Sequence, residues 1–357
     1  MKIGILTYHR SHNYGALLQA IALRKVLADM GHQVTYIDYW PAYHRQMYAA
    51  FSIRWMMSRG GMRKQCAYLK TCMTNYSVRK KRIKALNSFI SKFIIPYTSS
   101  LEEKYDLVIH GSDQIWRKQP EINTYNPVYF GKNNIRAEKH VSYAASMGIL
   151  PNCNADKNKL KELLSNLDCI SVREQDLLEL VKDLGYQATH IDLDPTLLLT
   201  STDWVEMFEL KKRKQDQKYA LYYKIKDSFD INALQQFVRS KGLTLKVINS
   251  KALGQETDEQ IMTADPVQFL NLLYNADFVF TSSFHGLAFS LLFHKPFMAS
   301  FTNNAGRAAS LLNALDLSDH LIQPQLVIPA HISEIDYDLV DSKLHNMRLS
   351  SIKYLSF

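Results

Sequence analysis

No run of apolar residues in this 357-residue chain approaches the ~20 that carry a helix across a bilayer. The opening MKIGILTYHR has too short an apolar stretch for a signal peptide, and no cleavage site follows it. Cysteine is scarce. Cys66, Cys72, Cys153 and Cys169 are the four, with no Cys-x-x-Cys pair, so they read as free thiols in a reducing cytoplasm. His9, His12, His32 and His110 fall at no metal-ligand spacing, and no metal or resident cofactor is expected. No Gly-x-Gly-x-x-Gly opens a βα unit, so nothing points to a dinucleotide. One absence is local. Between Pro41 and Ser100 there is no Asp or Glu, while twelve Lys and Arg fall there, including Arg45, Arg54, Arg59, Arg63, Lys64, Lys70, the run Arg79 to Arg82, and Lys92. Without those twelve the net charge of +9 becomes −3.

Aromatics interleave this basic stretch, among them Tyr43, Tyr48, Phe51, Trp55, Tyr68 and Tyr76. A basic, aromatic-bearing helical segment suits an anionic membrane surface, here through residues 45–92 with Trp55 and Phe51 as interfacial anchors. The competing readings are a solvated basic face and a surface for an acidic polysaccharide. No nucleic-acid signature is present.

What is there is an ordinary globular composition, 46% hydrophobic and 22% charged, in a chain long enough for two cores. KIGILTY, NYGALLQAIALRKVLADMG and QVTYIDY read as strand, helix, strand, which implies a parallel sheet. YDLVIHGSDQIW, KHVSYAAS and CISVRE read as further strands, with helices at NKLKELLSNLD and EQDLLELVKDLG. The pattern restarts near Thr202. The expected organisation is α/β, with two Rossmann-like domains facing across a cleft: residues 1–198 on the acceptor side, 199–330 on the donor side, and a C-terminal helical segment, 331–357, packing near the junction. The loop holding Asn13, Tyr14 and Gly15 ends the first strand, and such loops lie at the carboxyl edge of an open sheet, where ligands bind.

DFVFTSSFHGLAFSLLFHKPF, Asp277 to Phe297, goes from strand to helix with His285 at the corner. Glycine at 286 permits close approach of a ligand to the backbone. The helix start offers N–H groups to an anion, and a histidine beside it can donate a proton. A capping turn with an incidental histidine is the alternative.

GSDQIW after a strand, SYAAS about thirty residues on, SVRE, DLDPTLLL and SSFHG, in this order and spacing, resemble the polysaccharide pyruvyl transferase family from Met1 to about residue 325. The resemblance implies a two-domain fold similar to the GT-B glycosyltransferases. It implies transfer of the enolpyruvyl group of phosphoenolpyruvate to a sugar hydroxyl of a surface polysaccharide or lipid-linked precursor. By position, the family's histidine is His285 and its donor-contacting arginine is Arg173. One branch has an arginine two residues before the histidine; Ser283 stands there, and Arg307 is the candidate replacement.

Phosphoenolpyruvate needs cationic contacts and hydrogen-bond donors. Arg173 and Arg307 supply the first, and Ser282, Ser283 and the backbone at Gly286 the second. His285 is the expected general acid and Asp113 the acceptor's base, with Gly111 letting that loop approach a ligand. Gln114 joins Asn13, Tyr14 and Gly15 as an acceptor contact. Asp113 reads equally as the N-cap of a helix through QIW, and Arg173 as a partner of Glu174 or a helix end. Asp192 and Asp194 read as turn residues. His9 and His12 are weaker acceptor contacts. A sugar-nucleotide glycosyltransferase and a non-enzymatic polyanion binder are the other function classes, though no clear glutamate for a nucleotide ribose follows SSFHG. The oligomeric state and the acceptor sugar are not legible.

Overall fold

The structure, a computed structural model, describes all residues except 59, 120–121, 214–216, 250–256, 304, 325–327 and 330–331. Arg59 of the basic segment and the expected boundary at 330–331 therefore lie outside the described residues.

The chain divides into two compact units. One is Met1–Lys70, Asn87–Leu198 and Met347–Phe357; the other is Thr71–Leu86 and Leu199–Asn346. Two expectations change here. Residues 71–86, taken with the first half, group with the second, where Arg82 Nη1 donates to Met262 O at 3.3 Å. The C-terminal segment is shared, with its last turns in the first unit. There Ser351 Oγ accepts from Leu193 N at 3.0 Å and Tyr354 OH donates to Ser142 O at 2.8 Å.

The first unit holds seven parallel strands: β1 Lys2–Leu6, β2 Gln33–Ile37, β3 Thr98–Ser99, β4 Lys104–Asp113, β5 Arg136–Ala145, β6 Ile170–Val172 and β7 Thr189–Ile191. Their order is β3-β2-β1-β4-β5-β6-β7. Between β1 and β4 the winding reverses, the place where open α/β sheets bind ligands. Helix α1, Tyr14–Asp29, begins at Asn13, whose Oδ1 accepts from Gly15 N at 3.0 Å and Ala16 N at 3.4 Å. The acid-free stretch is helical, as expected: α2 Ala42–Tyr48, α3 Ile53–Ser58, α4 Met62–Thr74 and α5 Tyr76–Phe93. Helices α6, Asn154–Leu164, and α7, Gln175–Asp183, complete the crossovers.

The second unit repeats the plan. Its strands are β8 Tyr219–Tyr223, β9 Thr244–Ile248, β10 Glu259–Ile261, β11 Phe278–Thr281, β12 Phe297–Ser300 and β13 Leu321–Ile322. They run parallel in the order β10-β9-β8-β11-β12-β13, so the reversal falls between β8 and β11. Strands β8 and β11 are buried along their whole length, which explains apolar runs without alternation. The helices are α8 Ser201–Phe208, α9 Ile231–Ser240, α10 Pro266–Tyr274, α11 Phe284–Leu292, α12 Gly306–Ala314 and α13 Tyr337–Leu355. Reciprocal side-chain caps fix two of their starts, Thr200 with Asp203 for α8 and Asp265 with Gln268 for α10.

Candidate functional site

In each unit the candidate residues gather at the carboxyl edge of the sheet, around its reversal point. In the second unit, α11 begins one residue before His285, so the histidine sits in the first helical turn and is buried. The side chain of its N-cap residue, Ser283, makes no capping hydrogen bond. His285 meets the Phe284 ring edge-on at 5.5 Å between centroids, and the Arg307 guanidinium lies 5.5 Å over the same ring. Phe284 thus holds both candidates against one surface. Ser282 is used internally: its Oγ accepts from Ile225 N at 2.9 Å and Lys226 N at 3.2 Å, tying the end of β8 to the end of β11. Ser283 N donates to Thr281 Oγ1 at 3.0 Å, while the Ser283 hydroxyl takes no part in the cap. Sequence reasoning missed Lys226. With the Asn303 amide turned so that its oxygen faces it, Lys226 Nζ donates to Asn303 at 3.3 Å.

Gly286 has a different reason from the one expected. A Cβ there would lie 2.1 Å from Thr281 Oγ1 and 3.0 Å from the Tyr223 ring. The space is filled from within the unit. Gly111 is similar: its φ is +131° and a Cβ would meet Tyr143 O at 2.3 Å across the β4–β5 pair.

In the first unit, Asp113 ends β4 with φ 73°, a left-handed conformation that aspartate tolerates. No helix follows, so the N-cap reading fails; its Oδ1 accepts instead from the adjacent Gln114 N at 2.8 Å. Gln114 Nε2 is buried and has no hydrogen-bond partner among the described residues, a donor ready for an incoming oxygen. Its carbonyl accepts from Tyr8 OH at 3.1 Å, so the end of β4 is tied to the loop after β1.

Arg173, next after β6, forms a buried ion pair with Asp194, and its Nη2 lies 3.9 Å from Asp113 Oδ1. Asp194 is thus a partner that the sequence reading did not name. Strands β6 and β7 run in register at Val172 and Ile191, which carries both residues to the same edge. Asp194 also caps the turn at Pro195, accepting from Thr196 N at 2.9 Å, in line with its reading as a turn residue. Asp192 accepts from Ser171 Oγ at 2.6 Å, and burial raises its carboxyl above the usual range. Glu174 accepts from Ser146 Oγ.

Of the acceptor contacts, Asn13 is exposed but its oxygen is spent on the helix cap, while Tyr14 and Gly15 are buried and face the core. The reason is that α1 is buried through its first three turns. His9 is also buried, held by Thr7 O at 3.1 Å and by Asp38 at 3.3 Å. That bond and the Arg10 fork, with both contacts at 2.6 Å, hold the Asp38 carboxyl well below its ordinary range. His12 bonds Asn87 Oδ1 at 2.9 Å.

An aromatic group beside Asp113 was not legible in the sequence. His44 of α2 packs on Tyr8 at 4.8 Å and Tyr43 at 4.5 Å, and Tyr129 packs on Tyr8 at 5.2 Å and Tyr39 at 5.5 Å. Asn126 Nδ2 donates to Tyr39 OH at 3.1 Å and Tyr43 OH at 2.9 Å. Burial first, then the Arg117 charge, pushes His44 down to about 4. Its members come from residues up to 121 positions apart in sequence, so only the fold assembles them.

Among the described residues no group of three His, Cys, Asp or Glu side chains is placed to hold a metal ion. All four cysteines are free thiols.

Two doubly wound parallel α/β units, each with polar side chains at its sheet reversal, define the class of protein. Residues 13–304 match the model of the polysaccharide pyruvyl transferase family, a transferase family, and the chain belongs to it. No curated protein matches the sequence significantly. Among solved structures, MnaA of S. aureus with UDP aligns at a TM-score of 0.48 and 10% identity, over 98% of this chain and 91% of that one. The UDP-GlcNAc 2-epimerase of Methanocaldococcus jannaschii with UDP-GlcNAc and UDP gives 0.45 and 9%, over 98% and 93%. The E. coli heptosyltransferase WaaC with ADP gives 0.39 and 11%, over 97% and 100%. Identities this low concern fold alone.

Proposed function

We propose that the chain transfers the enolpyruvyl group of phosphoenolpyruvate to sugar hydroxyls, forming a pyruvate ketal. The carrying observation is His285, in the first turn of α11 at the sheet reversal, in a chain of this family. The donor's phosphate and carboxylate take Arg307, Lys226 and the first N–H groups of α11. His285 donates a proton to the methylene carbon of the donor, and C2 becomes oxocarbenium-like. A sugar hydroxyl adds to C2 and gives its proton to a base, the role for which Asp113 is the candidate. Phosphate then leaves with its bridging oxygen, and a second hydroxyl of the sugar closes the ketal as its proton returns to His285. Gln114 Nε2 offers the acceptor an amide donor, and the half-buried tyrosines beside it offer ring faces to a sugar.

The acceptor on this reading is lipid-linked, and the protein works at the inner face of the membrane. The support is α3 and α4. In the first unit's share of them, Ile53, Met57, Met62 and Leu69 are exposed beside exposed Arg54, Arg63, Lys64 and Lys70, with no acidic residue among them. The densest basic run contributes less than its sequence implies, because Arg79 and Arg82 are half-buried while Lys80 and Lys81 are exposed.

The test is phosphate release from phosphoenolpyruvate with sugar acceptors, together with thermal shifts against UDP-sugars. His285→Ala is expected to lower turnover by about 10²–10⁴-fold. Stabilisation by UDP-sugars and none by phosphoenolpyruvate would replace this reading with a glycosyltransferase.

A further inference from the structure

A cleft of about 800 Å³ opens at the amino edge of the second sheet, lined in part by Lys211, Lys212, Arg213, Lys246, Asn271 and Asn275. It lies at the opposite end of the strands from His285. Tyr219, the first residue of β8, belongs to its wall, whereas Tyr223, the last, is the ring that crowds Gly286. At about 3.3 Å per residue, the two ends are ~13 Å apart.

The charge in the cleft is unbalanced. The Arg213 guanidinium and Lys246 Nζ each sit 4.8 Å over the Tyr219 ring, and Lys212 Nζ sits 4.5 Å over Tyr274. Arg213 is paired with Asp277, and Lys246 with Glu259 at 2.7 Å. Among the described residues neither Lys211 nor Lys212 has a carboxylate partner, and Glu209 is the one carboxylate in the lining. Neighbouring Lys295 registers the crowding. Burial, and next the charge of Lys212, push its ammonium down to about 8.

The frame is fixed. Asn271 Oδ1 accepts from Lys211 N at 3.1 Å, and Asn275 Oδ1 accepts from Arg213 N at 2.8 Å. Asn275 Nδ2 donates to Lys211 O at 2.9 Å. Helix α10 therefore holds the backbone of residues 211–213 rigid. A solvated basic surface needs neither a concave wall nor a pinned backbone. Side chains that only donate, converging on a cavity of ligand size, match the oxygens of a phosphate ester. Of the rings in the lining, Tyr219 carries two cations, Arg213 and Lys246.

We propose that this cleft is a binding site for a phosphorylated molecule, held by Lys211, Lys212 and Arg213 and separate from the carboxyl-edge site. It does not depend on the proposed chemistry of His285. The phosphate has two sources of the same chemistry, a soluble ester or a lipid headgroup, and two arms separate them. The first arm is calorimetric titration of the full chain with inorganic pyrophosphate. Lys211→Ala with Lys212→Ala is expected to weaken binding tenfold or more, since two charge-assisted contacts are lost. Arg307→Ala is expected to keep the affinity of this site within about twofold, which separates it from the carboxyl edge. The second arm is flotation with phosphatidate vesicles. Loss of pyrophosphate binding in the double variant identifies a soluble ester, and loss of flotation alone identifies a headgroup. If neither depends on the two lysines, or if Arg307→Ala abolishes the binding they support, the proposal is overturned.

Discussion

Replacing Gly286 with alanine separates two reasons for a glycine at the start of α11. If the position is open, as a glycine kept for ligand approach requires, alanine stabilises the helix by about 1 kcal/mol. The geometry gives the opposite sign. A Cβ at 286 lies 2.1 Å from Thr281 Oγ1 and 3.0 Å from both Thr281 Cβ and Tyr223 Cδ1. Thr281 is a poor atom to displace. It is fully buried, its Oγ1 donates to Ser283 O at 3.1 Å, and it accepts from Ser283 N at 3.0 Å. Overpacking costs about 1–3 kcal/mol, and stripping a buried partner about 1–3 kcal/mol more. Less the propensity gain, Gly286→Ala is expected to destabilise by roughly 1–5 kcal/mol. Urea unfolding reads the loss, and hydrogen exchange over residues 278–293 localises it. Thr281→Ala removes the clashing oxygen, so the double variant is expected to recover about 1–3 kcal/mol relative to additivity. A stabilised Gly286→Ala, or strict additivity in the pair, refutes the packing argument. Weakened phosphoenolpyruvate binding at unchanged stability would restore the ligand-approach reading.

Three further outcomes follow from the first unit. Arg173→Ala leaves the buried Asp194 carboxylate without its cation and is expected to cost about 3–5 kcal/mol in thermal or urea unfolding; Arg173→Lys keeps a charge and is expected to cost less, and equal losses in the two would mean that the ion pair is not what holds this edge. His44 is held near 4 in the folded protein, against about 6.5 unfolded, so the unfolded chain binds the extra proton first and stability falls as pH drops from about 6.5 to 4. The fall is about 3 kcal/mol from this residue, and His44→Phe is expected to flatten the urea midpoint over that range by the same amount; an unchanged pH profile contradicts it. Flotation is expected only with anionic vesicles and is expected to fade as salt rises; equal binding to neutral vesicles, or none to either, removes the membrane role from α3 and α4.

How far the sequence carried the structure depends on what each feature needed. Some elements were legible because burial leaves a local trace: YALYY and FVF are apolar runs, and both lie in buried strands. Strands β3 and β13 were not, since two residues hold too little pattern to tell from a loop. Gly111 and Gly286 were singled out as glycines that let a ligand approach, and a Cβ at either meets a neighbour within the unit. The reason was assigned to a ligand because nothing local distinguishes a ligand from Tyr143 O or Thr281 Oγ1. Asp194 was legible as a turn residue, but its pairing with Arg173 required knowing that β6 and β7 are neighbours. The cage around His44 and the cleft at Lys211 are assembled wholly by the fold.

The division of the chain has a practical side for anyone exchanging parts between members of the family. The backbone passes from one unit to the other four times, at residues 70/71, 86/87, 198/199 and 346/347. A single cut at 198 gives two clean lengths of sequence but not two whole bodies. The first fragment lacks residues 347–357, and with them the Ser351 hydroxyl that receives Leu193 N and the Tyr354 hydroxyl bonded to Ser142 O. The second lacks 71–86, and with it the Arg82 contact to Met262. Chimeras therefore inherit mismatched helices unless residues 71–86 and 347–357 travel with the sheets they cover, and the transplantable module is a set of three segments for one unit and two for the other.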